Sequence, residues 1–137
     1  MNYTRIHCDA TGDSHFDDTH VEVAPVDFAP PAPPLHLATP VAAERMILCH
    51  LPQGWVGEWH PTPRRQFYIQ LSGRLEVEVS DGEVREFGAG SVVLLEDAMG
   101  KGHLTTVLEG AGVEAVFVQL PVEPMSGESQ AQVRKPR

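Results

Sequence analysis

The sequence contains only two cysteines, Cys8 and Cys49, among its 137 residues. Two cysteines are too few for a disulfide framework, and no C-x-x-C or paired Cys/His spacing suggests a structural zinc. We therefore expect reduced thiols and a cytoplasmic protein. Long apolar runs are missing too, since none approaches the roughly 18 residues that a membrane-spanning helix needs. The N-terminus lacks the charged region and apolar core of a signal peptide, so no membrane partner is expected.

Basic residues are scarce: 10 Lys and Arg stand against 19 Asp and Glu, which gives a formal net charge of -9. Nucleic acids and anionic membranes are bound by basic faces, so this balance argues against both as partners. The apolar content of 42% and charged content of 21% are those of a globular protein. A chain of this length is expected to form one domain with an apolar core.

Helical periodicity is absent as well, and short β-like runs take its place. Alternation is clearest where Leu75, Val77 and Val79 are separated by glutamates, and Asp81 with Gly82 is a strong hairpin signal. Strand-like runs cover residues 44–51, 66–71, 74–79, 83–87, 91–95, 104–108 and 113–120. Many short strands at this spacing predict an all-β sandwich or barrel.

The two ends of the chain differ from this pattern. Residues 1–40 are predicted to be an N-terminal arm, polar and irregular over 1–19, with a short strand near Val21 to Val26. Six of the twelve prolines fall between Pro25 and Pro40, which favours a stiff, extended strap. The barrel would then cover 41–120, and 121–137 would be a flexible tail. In an alternative interpretation, His15 and Phe16 fold back over the barrel mouth.

The strand after residue 65 carries two different faces, because side chains alternate along a strand. One face is polar, and burying it would be costly unless it lines a cavity. The other face is apolar and is interpreted as core or as a sheet-packing layer. The polar face consists of Gln66, Tyr68 and Gln70, and the apolar face of Phe67, Ile69 and Leu71.

Residues 54–73 resemble the first motif of the cupins, G-x5-H-x-H-x3,4-E-x6-G. Gly54, His60, Thr62, Gln66 and Gly73 reproduce its spacing. The resemblance implies an all-β jelly-roll barrel, the double-stranded β-helix of the cupin superfamily, with the Pro-rich arm added at its N-terminus. A Trp-His-x-x-Pro-Arg-Arg-Gln segment and a Gly-Lys-Gly-His segment also resemble a subgroup of small bacterial single-domain cupins.

The second cupin motif, G-x5-P-x-G-x2-H-x3-N, is approximated by Gly90, Glu96 and His103. Cupins are known for a metal site of three histidines and one glutamate, and His60 and His103 match two of its positions. Thr62 and Gln66 replace the others. The resemblance therefore implies a weakened site in which His60, Gln66 and His103 bind a divalent ion, with zinc, nickel or copper favoured over iron or manganese.

Further site residues follow from the predicted barrel. Tyr68 or Glu96 could move a proton. Arg64 could clamp an anionic ligand, although a solvated turn explains it equally well. Simple structural roles are the alternative interpretation of the histidines: His60 as the end of a strand and His103 as the cap of a turn. The predicted ligand-binding residues are Thr62, Tyr68, Gln70, Arg64 and His15.

Three functions remain open on this evidence. The first is a metal-dependent small-molecule enzyme of isomerase, dioxygenase or lyase type. The second is a non-catalytic barrel that binds a small ligand, with an anionic ligand as one option. The third is a barrel with a lapsed site that serves as a structural dimer. All three favour a homodimer, in which the strap and the strand before it cover a sheet edge of the partner.

Overall fold

The computed structural model describes residues 1–122 of the chain. Within this range it contains strands and turns, and no helix that is long and apolar enough to cross a membrane. The strands are β1 (Asn2–Cys8), β2 (Ser14–His20), β3 (Ala24–Val26), β4 (Leu35–Leu37), β5 (Arg45–Leu51), β6 (Gln66–Ser72), β7 (Leu75–Val79), β8 (Val84–Phe87), β9 (Val92–Leu95), β10 (His103–Val107) and β11 (Val113–Gln119).

Two facing sheets form the body of the protein. The larger has six strands in the order β2-β1-β9-β6-β11-β5, and the smaller has three in the order β10-β7-β8. The apolar core lies between them, with Ile6, Val79 and Val113 fully buried. The prediction of an all-β fold is confirmed, although the two sheets are not joined into a closed barrel.

The predicted runs from β5 to β11 all form strands, because their alternation matches a half-buried sheet. Along β7, Leu75, Val77 and Val79 are buried, and the glutamates between them are not. The turn after β7 also follows the prediction. Gly82 has φ of 99°, and the Asp81 carboxylate accepts a hydrogen bond of 2.8 Å from the Glu83 amide.

The first twenty residues correct the prediction of an irregular segment over 1–19. β1 and β2 form an antiparallel pair, and β1 lies parallel to β9 inside the larger sheet. The signal was weak because only one residue of β1, Ile6, and one apolar residue of β2, Phe16, are buried. Polar side chains on the solvent side conceal the alternation.

The proline-rich segment contains a short antiparallel pair, β3 with β4, called here the β3–β4 hairpin (residues 24–37). It belongs to neither of the two larger sheets. Residues 22–36 are all exposed, including Phe28. The contact of the N-terminal arm with a partner subunit stays a prediction. The predicted tail lies, from residue 123 onward, outside the described residues.

The two faces of β6 are assigned by burial. Gln66, Tyr68 and Gln70 are buried on the inner side, as expected for a polar face turned toward a cavity. Of the two interpretations of the apolar face, core or a sheet-packing layer, the first is wrong. This face points outward instead, where Phe67 and Ile69 are half-buried and Leu71 is 55% exposed.

Candidate functional site

A cavity of about 360 Å³ lies between the two sheets and is called here the barrel cavity. Its walls are mostly aliphatic and aromatic, and among the described residues no Asp, Glu, Lys or Arg lines it. The lining consists of Ile6, Ile47, Leu51, Trp55, His60, Thr62, Pro63, Gln66, Tyr68, Leu75, Val77, Phe87, Val93, Leu95, His103, Thr105, Phe117 and Gln119. The polar groups of the cavity are therefore few, and each is either an uncharged group or an imidazole.

His60 and His103, called here the histidine pair, are brought together by an isolated antiparallel bridge. The His103 amide donates to the His60 carbonyl at 3.0 Å, and the reverse bond is 3.2 Å. The two ring centroids are 5.0 Å apart, with 51° between the planes. Gly102 allows this approach, because a Cβ there would lie 2.1 Å from the carbonyl carbon of His60. The two cupin-like motifs thus meet at their histidines.

Each imidazole is held through its Nδ1 atom. Nδ1 of His60 lies 2.6 Å from the Glu58 carbonyl oxygen, and Nδ1 of His103 lies 2.6 Å from Oδ2 of Asp97. Asp97 is fully buried, and its Oδ1 has no hydrogen-bond partner among the described residues. Neither Nε2 atom is hydrogen-bonded within residues 1–122, so both remain free to bind a ligand.

Gln66 lies in a closed amide network next to the histidine pair. Its Nε2 donates to Thr62 Oγ1 at 3.1 Å, and its Oε1 accepts from Gln119 Nε2 at 3.0 Å. Thr62 Oγ1 in turn donates to the Arg64 carbonyl at 2.8 Å. Both ends of the Gln66 amide are thus engaged, which fixes its orientation and leaves its oxygen one further lone pair.

Tyr68 and Gln70 form the inner part of this polar row. The Tyr68 hydroxyl donates to Gln70 Oε1 at 3.0 Å, and burial raises the pKa of Tyr68 well above its usual value. Gln70 Nε2 donates to the carbonyls of Gly73 and Phe87 at 2.9 and 3.0 Å. The Tyr68 ring lines the barrel cavity, whereas Gln70 does not and holds the turn between β6 and β7.

Besides Gln70, three more predicted site residues lie outside the barrel cavity. Glu96 pairs with Arg5 and Arg65, and hydrogen bonds from these arginines hold its pKa below the usual value although burial opposes them. Arg64 donates to Glu44 at 3.0 Å and to a backbone carbonyl.

His15, the third, lies between Asp9 and Asp81 at 2.6 and 2.8 Å and ties the β1–β2 turn to the β7–β8 turn. Its ring is therefore not over the cavity mouth. The structure brings His60, Thr62, Gln66, Tyr68 and His103 together around the barrel cavity and separates Gln70, Glu96, Arg64 and His15 from it.

Sequence reasoning missed Asp97 and Gln119. Asp97 was given no role in the sequence analysis, and what sets it apart in the sequence is only its position two residues after β9 and six before His103. Gln119 ends β11 and was counted only as part of a strand. Its buried amide contacts Gln66 and accepts from Arg45 at 2.9 Å, a pairing that only the register of β5, β11 and β6 creates.

The donor set does not match a full cupin metal site. Among the described residues, no group of three or more His, Cys, Asp or Glu side chains could hold a metal ion. The histidine pair supplies two nitrogen atoms, and the Gln66 amide that replaces the glutamate is engaged at both ends. Structural and catalytic sites usually need three or four protein ligands, so these residues do not fit a tightly bound resident metal.

Comparisons with known proteins find distant structural similarity. No protein-family model and no curated protein matches the chain. A Cupin 2 conserved barrel domain protein from Salinispora arenicola CNS-205 is 19% identical over 85% of each chain, with a TM-score of 0.46. The conserved SPY1581 protein of unknown function from Streptococcus pyogenes is 18% identical over 56% of this chain and 64% of its own, with a TM-score of 0.44.

The chain thus spans less than two thirds of the length of the streptococcal protein. Both TM-scores lie below 0.5, and neither protein's description states a ligand or a reaction.

Proposed function

We propose that this protein is a small-molecule cupin whose barrel cavity binds a compact, largely apolar, uncharged ligand with its polar end at the histidine pair. The observation that carries the proposal is the composition of the cavity: apolar walls on most sides and two imidazoles with free Nε2 atoms at one place. Apolar enclosure with a few convergent polar groups is typical of small-ligand sites.

The size and charge of the barrel cavity restrict the ligand. A volume of about 360 Å³ is near the lower end for ligand sites, which favours a monocyclic or short-chain molecule. Among residues 1–122, no Lys or Arg side chain lines the cavity to pair with an anionic ligand, and Arg64 is paired with Glu44 outside the cavity. The earlier expectation of an anionic ligand clamped by Arg64 is therefore replaced by that of a neutral one.

A panel of neutral monocyclic compounds, screened by thermal shift and followed by calorimetry, tests the proposal. We expect at least one class to bind the wild type and to lose binding in the double variant His60→Ala, His103→Ala. The matched control is His50→Ala, because His50 is exposed on β5 and does not line the cavity. Binding that survives in the double variant would exclude the histidine pair from the site.

A metal-dependent enzyme is the second candidate, and one observation favours it. Histidines that bind metals usually donate their other ring nitrogen to a carbonyl or carboxylate, as both members of the pair do here. The metal content of the untagged protein, with His60→Ala as control, tests this candidate. Zinc, nickel or copper near one equivalent in the wild type only would support it, and metal-free protein that binds no added ion would refute it.

Gln66→Glu offers a second test of the metal candidate, because it restores the acidic residue of the cupin motif. If the pair can bind a metal at all, this variant should bind zinc more tightly than the wild type, as measured by competition with a chelating dye. The control is Gln70→Glu, because Gln70 lies on the same face of β6 but outside the cavity. Equal zinc affinity in Gln66→Glu and wild type would remove Gln66 from the candidate site.

We also propose a homodimer in the cytoplasm. The outward side of β5, β11 and β6, called here the outer face, carries Leu48, Val116 and Ile69 side by side, with Leu48 73% exposed and Leu71 55% exposed beyond them. An apolar sheet face of this kind is an interaction surface or an aggregation hazard. A second copy, with its exposed β3–β4 hairpin, supplies apolar side chains to cover it. Both cysteines are free, which is compatible with a reducing compartment.

A further inference from the structure

We infer that Asp97 is a positioning residue of this site, and that it makes the barrel cavity select neutral ligands that carry a hydrogen-bond donor, such as a hydroxyl group. The inference depends on the proposed function, because it concerns the ligand of the same cavity. It assigns a role to a buried carboxylate that the cavity itself does not expose.

The first step concerns His60. A neutral imidazole has one nitrogen that donates and one that accepts, and the hydrogen bond at one nitrogen decides the role of the other. Nδ1 of His60 lies 2.6 Å from a backbone carbonyl, that of Glu58, which can only accept. The proton is therefore on Nδ1, and Nε2 presents a lone pair.

The second step concerns His103, where Asp97 has the role that the Glu58 carbonyl has for His60. A carboxylate accepts hydrogen bonds, so the contact of 2.6 Å places a proton on Nδ1 and leaves the Nε2 lone pair free. Asp97 is fully buried, and its backbone is held in place because its carbonyl accepts a hydrogen bond of 3.1 Å from the Thr62 amide. Free rotation of the His103 ring is thus prevented.

The third step concerns which ligands are favoured by the Nε2 lone pairs of His60 and His103. With the ring centroids 5.0 Å apart, both acceptors belong to the same end of the cavity. The Thr62 hydroxyl and one N–H of Gln66 already donate to other protein groups, and the second N–H of Gln66 is left to meet an acceptor atom of the ligand. A ligand whose polar end only accepts, such as an ether, would leave the buried Nε2 acceptor of His103 unpaired, which is unfavourable. A hydroxyl or amine hydrogen satisfies this acceptor.

The first experiment reads the tautomers directly. Full-length protein labelled with ¹⁵N at histidine is treated with a chelator, and NMR spectra report which ring nitrogen carries the proton. Loss of signals in His60→Ala and His103→Ala assigns the two rings. We expect Nδ1–H with unprotonated Nε2 in both histidines of the wild type. A proton on Nε2 of His103, alone or together with one on Nδ1, would overturn the inference without any need for a variant.

The second experiment uses phenol and anisole, which share a ring but differ in the donor hydrogen. Phenol should bind the chelator-treated protein about three- to tenfold more tightly, the usual contribution of one hydrogen bond. In Asp97→Leu this preference should decrease, because only the His60 acceptor stays fixed, while anisole affinity stays unchanged, a result that a purely structural role would not give. The control variant is Asp18→Leu, because the Asp18 side chain is 72% exposed and does not line the cavity.

The outcomes of this titration separate the inference from the proposed function. Equal binding of phenol and anisole would overturn the inference and leave the ligand-binding cavity intact. Binding of neither compound would count against both. If a preference for phenol appeared only after zinc is added, the Nε2 lone pairs would be shown to bind a metal ion. This result would also overturn the inference.

Discussion

Gly102 shows how a single residue controls the candidate site. Its φ of 74° and its close approach to the backbone of His60 both require the absence of a side chain. The sequence displays Gly100, Lys101 and Gly102 before His103, and this segment was predicted to belong to the second cupin-like motif. From the sequence, this segment could be predicted only to form a turn, because its approach to His60 brings together two segments that are more than forty residues apart.

Gly102→Ala should therefore destabilise the fold and abolish ligand binding, because the new Cβ would displace His60 from His103. We expect a loss of more than about 3 kcal/mol of unfolding free energy, measured by denaturant titration. The control is Gly82→Ala, which has a similarly positive φ of 99° but open space around the glycine. It should cost about 1 kcal/mol and leave binding intact. Equal losses in both variants would show that backbone strain alone is responsible.

The other residues of the site differ in whether the sequence predicted them. His60, Thr62, Gln66 and His103 stand at fixed spacings, so their grouping was predictable, and the structure places all four on the cavity wall. Asp97 had no such signal, because an acidic residue after a strand is usually a solvated turn residue. Its burial results from packing of β9 against β1 and β6, which a sequence does not display.

At the scale of elements, too, some strands were predicted from the sequence and others were missed. β5 to β11 were predictable, because apolar residues recur at every second position or in continuous buried runs. β1 and β2 were missed, since their outward positions carry ion pairs such as Arg5 with Asp17. β1 enters the sheet beside β9 through a parallel, non-local pairing, for which local propensity gives no indication.

The ion pairs that join these early strands to β7 and β8 predict a pH dependence. Hydrogen bonds to Asp9 and, to a smaller degree, Asp81 raise the pKa of His15 above its usual value of 6.5. A histidine with a raised pKa in the folded state stabilises the fold fully below 6.5, and this contribution is lost as pH rises through the higher folded value.

The unfolding free energy of the wild type should thus decline as pH rises from 6.5 into this window, and His15→Gln should lack that part of the decline. Denaturant titrations across the window measure both curves. His36→Gln, on the exposed strand β4, should behave as the wild type. An identical decline in His15→Gln and wild type would show that the link between the two turns does not contribute.

In the whole molecule the core and the cavity share residues, such as Ile6, Leu75 and Val93, and the outer face carries apolar side chains. Length, composition and strand count predicted a single all-β domain. The direction of the β6 faces was predicted only in part, because a polar row beside an apolar row does not show which one faces inward when a cavity is present. The apolar row lies on the outer face, where a partner would bury it.

Charges placed on the outer face test the proposed dimer. Leu48→Lys with Leu71→Lys should convert the dimer into a folded monomer, because two desolvated ammonium groups cannot be accommodated in an apolar interface. Light scattering coupled to size-exclusion chromatography measures the change. Val84→Lys is the control, since Val84 is also exposed but lies on β8 in the other sheet. A wild type that is already monomeric would contradict the proposal.

The most direct test of the central claim, that the barrel cavity binds a small neutral ligand at the histidine pair, is to locate the ligand. NMR measurement of intermolecular contacts between phenol and methyl-labelled protein does this. The account predicts contacts from the phenol ring to methyl groups of Val77, Val93 and Leu95 inside the cavity, and none in the double variant His60→Ala, His103→Ala. Contacts to Leu48 and Val118 of the outer face, with none to the cavity, would contradict it.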